Sequence, residues 1–174
     1  MLELEGELPE VYLQPGELHL AREPVIIRTL LGSCVGITFW SARLRIGALC
    51  HALLPRCPNG SSAGVSRATG RRYVDYCVRD LARQFDELGV PRAEVQVKVF
   101  GGADVLLVSN GGSRATVGRQ NCDVALEVLR AEGFDVIASS LGGTVGRNIQ
   151  FNTGTGEVLL RRLTRVIFED VIDE

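Results

Sequence analysis

The sequence predicts one mixed α/β domain in which β-sheets are layered and flanked by two main helices. Three observations carry this. Eight or nine short runs alternate in polarity or are rich in β-branched residues, and two longer runs place apolar residues every third or fourth position. The two kinds of run do not alternate in the regular βαβ order of a parallel array. A chain of 174 residues, 45% of them apolar, can bury one substantial core and has no need of a second.

Taken in order, residues 1–23 are acidic and interrupted by Pro9 and Pro15, which predicts an arm carrying one short strand at 10–13. The catalytic-sized unit is expected over 24–168, with 169–174 as a tail. Runs at 25–31, 35–40 and 45–54 predict three strands, the first two separated by Gly32-Ser33-Cys34. Residues 56–72 hold Pro58, three glycines and four Ser/Thr, the composition of a mobile surface loop and a candidate rim of a site. Residues 73–88 place Val74, Cys77, Val78, Leu81, Ala82, Phe85 and Leu88 on one helical face, and Gly89 ends it. A strand at 94–100 breaks at Gly101-Gly102, and a brief apolar stretch at 105–108 leads into a loop at 109–113. A second helix at 121–132 turns Val124, Ala125, Val128 and Leu129 inward and closes at Gly133. Strands at 135–141, 147–153, 157–163 and 164–168 follow, with turns at Gly142-Gly143 and 153–156.

Nineteen basic residues nearly balance twenty-one acidic ones, so no whole-molecule field favours nucleic acid. The acidic start does not suit a secretory signal, and no apolar run approaches the roughly 20 residues of a spanning helix, so a cytoplasmic protein without membrane insertion is expected. The cysteines at 34, 50, 57, 77 and 122 are odd in number and contain no CxxC pair. That pattern fits neither a disulfide framework nor a closed zinc site, and no metal is expected.

Cys34 stands at a break between two strands, where a thiol can reach the surface. Neighbouring backbone N–H groups and an imidazole activate such a thiol. Gly32 is the candidate enabling residue, and the amides around Gly32, Ser33 and Val35 form the candidate oxyanion region. Of the two histidines, His51 lies on the strand after the one that follows Cys34, where adjacent pairing brings them together, whereas His19 falls in the arm. Thr29 or Ser33 could orient the imidazole. The glycine pairs at 101–102, 111–112 and 142–143 read as turns and close strand approach, not as phosphate loops. Arg71-Arg72 and Arg161-Arg162 read as solvated faces.

Several blocks together resemble the CheD family. They are 29–35 (Thr-Leu-Leu-Gly-Ser-Cys-Val), Gly47 with His51-Ala52-Leu53-Leu54-Pro55, 98–103, 117–121 and 141–147, in that order. The resemblance implies a protein-glutamine deamidase acting on methyl-accepting chemotaxis receptors, with Cys34 as nucleophile, His51 as base and no cofactor. Its third member is a threonine shortly before the cysteine. Thr29 matches it, one position nearer the cysteine than the family threonine, where this chain has Arg28. The resemblance also implies a fold like that of the cytotoxic necrotizing factor cysteine hydrolases, a secondary glutamyl methyl esterase activity and a CheC-type phosphatase as partner. Two rival readings are a non-catalytic module that binds receptors or such a phosphatase, and a redox sensor in which Cys50 or Cys57 resolves Cys34.

Overall fold

Two sheets share the chain, and the strands beside Cys34 belong to different ones. The computed structural model describes residues 6–58, 63–105 and 115–164. The strands are β1 (Glu10–Tyr12), β2 (Leu18–Ala21), β3 (Ile26–Leu31), β4 (Val35–Ser41), β5 (Ile46–Ala52), β6 (Val95–Gly101), β7 (Val136–Leu141), β8 (Arg147–Asn152) and β9 (Val158–Arg162). A four-stranded sheet has the order β1-β3-β8-β9 and a five-stranded sheet the order β2-β5-β4-β6-β7. Each mixes parallel and antiparallel neighbours: β1 runs parallel to β3, and β7 parallel to β6, while the other pairs are antiparallel. The layered sandwich of two mixed sheets that the sequence predicts is therefore present.

Among the described residues three α-helices join them, α1 (Arg67–Gly70), α2 (Val74–Glu87) and α3 (Val117–Ala131). The two long ones pack together on one face of the five-stranded sheet, where Val35, Ile37 and Phe39 of β4 meet Leu81, Phe85, Ala125 and Leu129. Phe39 anchors this layer with its ring centroid 5.5 Å from Phe85 and 4.7 Å from Phe134. The opposite face packs on the four-stranded sheet through Leu13, Ile27, Leu49 and Phe151, and further along through Leu31, Phe100 and Ile149. Strands β4 and β5 are covered on both faces, which explains their nearly continuous apolar sequences.

The structure departs from expectation at the N-terminus. Residues expected as an arm supply β1 to one sheet and β2 to the other, and Leu13 between them is 2% exposed. The prolines that suggested an arm fall just outside the strands, where a missing N–H costs nothing. His19 lies in β2, opposite Leu49, and is half-buried instead of solvated. Helix α3 begins four residues before its expected start, because the Thr116 hydroxyl accepts from Arg119 N–H at 3.2 Å and caps an earlier turn. Helix α1 stands inside the stretch expected as loop, capped by Ser66. The expected apolar stretch 106–108, the loop at 109–113, the strand at 165–168 and the tail lie outside the described residues.

If the first strands are structural, truncating Leu13 must cost what any core leucine costs. Leu13→Ala is expected to lower the unfolding free energy in urea by about 2–4 kcal/mol. A change within about 0.5 kcal/mol, as for a surface substitution, would return these residues to a solvated arm.

Candidate active site

The chain passes from one sheet to the other through Gly32-Ser33-Cys34, between β3 and β4. Each carbonyl of this crossing is tied inward. Gly32 O accepts from Ala103 N–H at 2.9 Å, Ser33 O from Asn121 Nδ2 at 2.9 Å and Cys34 O from Gly102 N–H at 2.9 Å. Among the described residues, no oxygen accepts from the N–H of Ser33 or Cys34. Two amides beside the sulfur are thus without an oxygen partner. Val35 is different, since it lies inside the ladder opposite Ala52 and Gly101, and its amide is committed to sheet pairing.

The glycine that makes the crossing possible is not the one the sequence singled out. A Cβ on Gly32 would meet only Val105 methyls at 3.6 Å, an ordinary contact. A Cβ on Gly101 would lie 2.2 Å from Cys34 O, and one on Gly102 2.0 Å from Cys122 Sγ, with φ of +108° and +67°. The close approach read for this pair is real, and what it approaches is the carbonyl of Cys34.

Cys34 is half-buried against Leu31, Phe100 and Ile149, in the space between the sheets. His51, 1% exposed, occupies the same space from β5, opposite Gly36. Cys34 precedes Gly36 by two residues, so strand alternation turns its side chain to the same face as that of His51.

Thr29 on β3 completes the constellation from the other sheet. Its Oγ1 lies 2.7 Å from His51 Nδ1 and donates to Leu13 O at 2.9 Å. A hydroxyl has one proton, and the Leu13 carbonyl can only accept, so His51 Nδ1 must be the donor to Thr29. The imidazole therefore carries its proton on Nδ1 and keeps Nε2 as a free base. Nε2 is buried and, among the described residues, has no hydrogen-bond partner. Strand alternation explains why Thr29 and not Arg28 fills this role: Arg28 points to the outer face, where it bonds Glu10 and Gln150. Ser33, the other candidate, gives its carbonyl to Asn121. The Leu13 carbonyl is a backbone group and leaves no trace in residue type.

Burial pushes His51 down to about 4, partly offset by the Glu17 carboxylate, and pushes the Cys34 thiol up, opposed by its own backbone N–H. Both shifts favour a thiol and a neutral imidazole at neutral pH. A groove of about 500 Å³ opens at Cys34, walled by Leu53, Leu54, Val105 and Val117, with Arg72 and Asp104 as its charged members. Arg72 is the part of the expected rim, residues 56–72, that reaches it.

The remaining cysteines stand apart. Cys50 faces the helices, on the other side of its sheet, in one core cluster with Cys77, whose thiol donates to Arg71 O at 3.1 Å. Cys57 N–H bonds Asp75. Cys50 does not share the face on which Cys34 lies, and Cys57 stands outside the strands, beyond the end of β5. No group of three or more His, Cys, Asp or Glu side chains suited to a metal ion occurs among the described residues.

Residues 53–162 match the family model described as CheD chemotactic sensory transduction, a span that begins just after His51. The chain is 45% identical over 159 residues to the probable chemoreceptor glutamine deamidase CheD 2 of Geobacter sulfurreducens, covering 91% of this chain and 93% of that protein. It is 37% identical to the probable chemoreceptor glutamine deamidase CheD of Maridesulfovibrio salexigens, covering 94% and 98%. Among solved structures it is similar to the Bacillus licheniformis hypothetical protein YfiH, with TM-score 0.48 and 10% identity over 77% of this chain and 60% of that one.

Two outcomes are expected from this geometry. Gly101→Ala lowers stability and slows thiol alkylation of Cys34 by iodoacetamide, whereas Gly32→Ala leaves both near wild type; the reverse ranking would contradict the close approach at Gly101. Because His51 titrates at about 4 when folded and at an ordinary 6.5 when unfolded, the unfolded chain takes up the proton first on acidification. Its contribution to stability is complete above 6.5 and falls towards pH 4, by up to about 3 kcal/mol. Urea unfolding of His51→Gln should show a shallower loss over this window than wild type, and equal slopes would place His51 in water.

Proposed function

The chain belongs to the CheD family, and on that premise we propose that it is a chemoreceptor glutamine deamidase working through Cys34, His51 and Thr29. The observation that carries the residue assignment is the buried chain Leu13 O, Thr29 Oγ1, His51 Nδ1, which leaves a basic nitrogen on the face that holds the thiol. The names of the relatives support the reaction and the receptor as substrate.

The Cys34 sulfur attacks the carboxamide carbon of a glutamine side chain as His51 Nε2 takes the thiol proton. The developing oxyanion is met by the free amides of Ser33 and Cys34. The C–N bond then breaks, and the imidazolium gives its proton to the departing nitrogen, releasing ammonia and leaving a thioester. Water, losing a proton to the same nitrogen, attacks the thioester. The C–S bond breaks, sulfur recovers the proton, and a glutamate side chain is released. Thr29 holds the ring in the tautomer this requires, and its oxygen receives Nδ1–H more strongly once the ring is charged. A glutamyl methyl ester offers the same acyl group with methanol as leaving group, so esterase activity belongs to the proposal.

An open groove with apolar walls suits a side chain presented on an exposed receptor helix better than a free amino acid. The cytoplasmic domains of the receptors are thus the proposed partner, a CheC-type phosphatase the proposed regulator, and the cytoplasm the proposed compartment. We take the span from β1 to β9 as one catalytic domain, because Leu13 supplies both core and site.

Purified protein incubated with a receptor cytoplasmic fragment should release ammonia and produce the deamidation mass shift. Cys34→Ala and His51→Ala are expected to lower the rate by about a thousandfold or more. Thr29→Val, nearly the same shape without the hydroxyl, is expected to lower kcat by about a hundredfold. Equal deamidation by wild type and Cys34→Ala would overturn the mechanism, and binding without deamidation by any form would favour a non-catalytic module.

A further inference from the structure

We propose that Asn121 is a positioning residue for this reaction, holding the nucleophile loop and the end of the base's strand at one fixed spacing. The inference rests on Cys34 and His51 being the reacting pair. Asn121 lies in the second turn of α3 and is fully buried. Its Nδ2 donates to Ser33 O at 2.9 Å and to Leu53 O at 2.9 Å. Ser33 immediately precedes the nucleophile, and Leu53 lies two residues beyond the base.

The place of these bonds in the sheet gives them their meaning. The ladder between β4 and β5 ends at the pair Val35 and Ala52. Beyond it the strands separate, and Leu53 N–H and Leu54 N–H both turn to Arg72 O. The Asn121 amide spans this gap, one proton to each strand, and replaces the rung that the backbone no longer makes. Both partners are carbonyls, so only the amide nitrogen can face them and the orientation of the side chain is fixed. The same segment of α3 abuts the loop from below, since Gly118 packs against Gly102 and Ala103.

A purely structural filler would look different. The Asn121 Oδ1 is buried with no hydrogen-bond partner among the described residues, which destabilises the folded chain. An apolar residue of the same shape would leave no orphan on the side chain but would strand the Ser33 and Leu53 carbonyls, so what this position requires is the pair of donors that ties the two segments together.

The test compares Asn121→Leu, close in volume and without the donors, and Asn121→Asp, which presents carboxylate oxygens to the two carbonyls. Alkylation of Cys34 by iodoacetamide is followed across the titration range of the Cys34–His51 pair by mass spectrometry of the Cys34 peptide. Receptor-fragment deamidation is measured alongside. Folded Asn121→Leu is expected to alkylate about tenfold to a hundredfold more slowly at neutral pH with a displaced pH profile, and kcat falls by a similar factor with KM little changed. A wild-type alkylation rate and profile in folded Asn121→Leu overturns the proposal. Should neither variant fold, the wild-type protein decides it: the side-chain amide NMR signals of Asn121 are expected to shift when Cys34 is alkylated, and unmoved signals overturn it. Alkylation needs no receptor, so an altered profile in a protein that never deamidates would sink the deamidase reading and leave the role of Asn121 standing.

Discussion

A threonine hydroxyl has one proton to donate, and in this protein the Leu13 carbonyl takes it. That constraint decides which nitrogen of His51 is a donor and which a base, and it does so without a charged third residue. It also dictates the architecture. Leu13 must follow β1, Thr29 must face inward from β3, and His51 must face it from the other sheet, so the two sheets have to stack in one register. A carboxylate in place of Thr29 would hold an imidazolium; a neutral hydroxyl in a dry layer holds a neutral ring, in keeping with His51 well below its ordinary range.

Much of the fold was legible because its signals are local. Strands β3 to β9 lie within a few residues of the runs that predicted them, since burial on one or both faces writes itself into polarity. Both long helices close at glycines with positive φ, Gly89 and Gly133, as their sequences implied. Strand β1 falls where a short strand was expected, whereas β2 was hidden because an edge strand of four residues carries little pattern and the prolines point the other way. What the sequence could not say is that β3 and β4, consecutive and separated by three residues, belong to different sheets.

The candidate site divides along the same line. Cys34 and His51 were visible as residue types in suggestive places, and the resemblance to a family ordered them. Thr29 could be separated from Ser33 only in three dimensions, by which side chain faces the imidazole. Gly32 attracted notice because it adjoins the cysteine, yet the glycine without which the loop could not close is Gly101, far away in sequence and in contact with Cys34 O. Val35 adjoins the cysteine too, but the sheet already uses its amide. Proximity along the chain is a weak guide wherever backbone groups from distant strands do the holding.

The three carbonyls of the crossing loop accept from Ala103, Asn121 and Gly102, all of which follow Cys34 by more than sixty residues. During synthesis, therefore, the thiol emerges long before anything that shapes it. Until β6 and the start of α3 have left the ribosome, the segment around Cys34 lacks the contacts that aim its amides, and His51 lacks part of the layer that keeps it neutral. The nascent chain carries an ordinary cysteine, and the candidate site is completed late, when the fold itself closes.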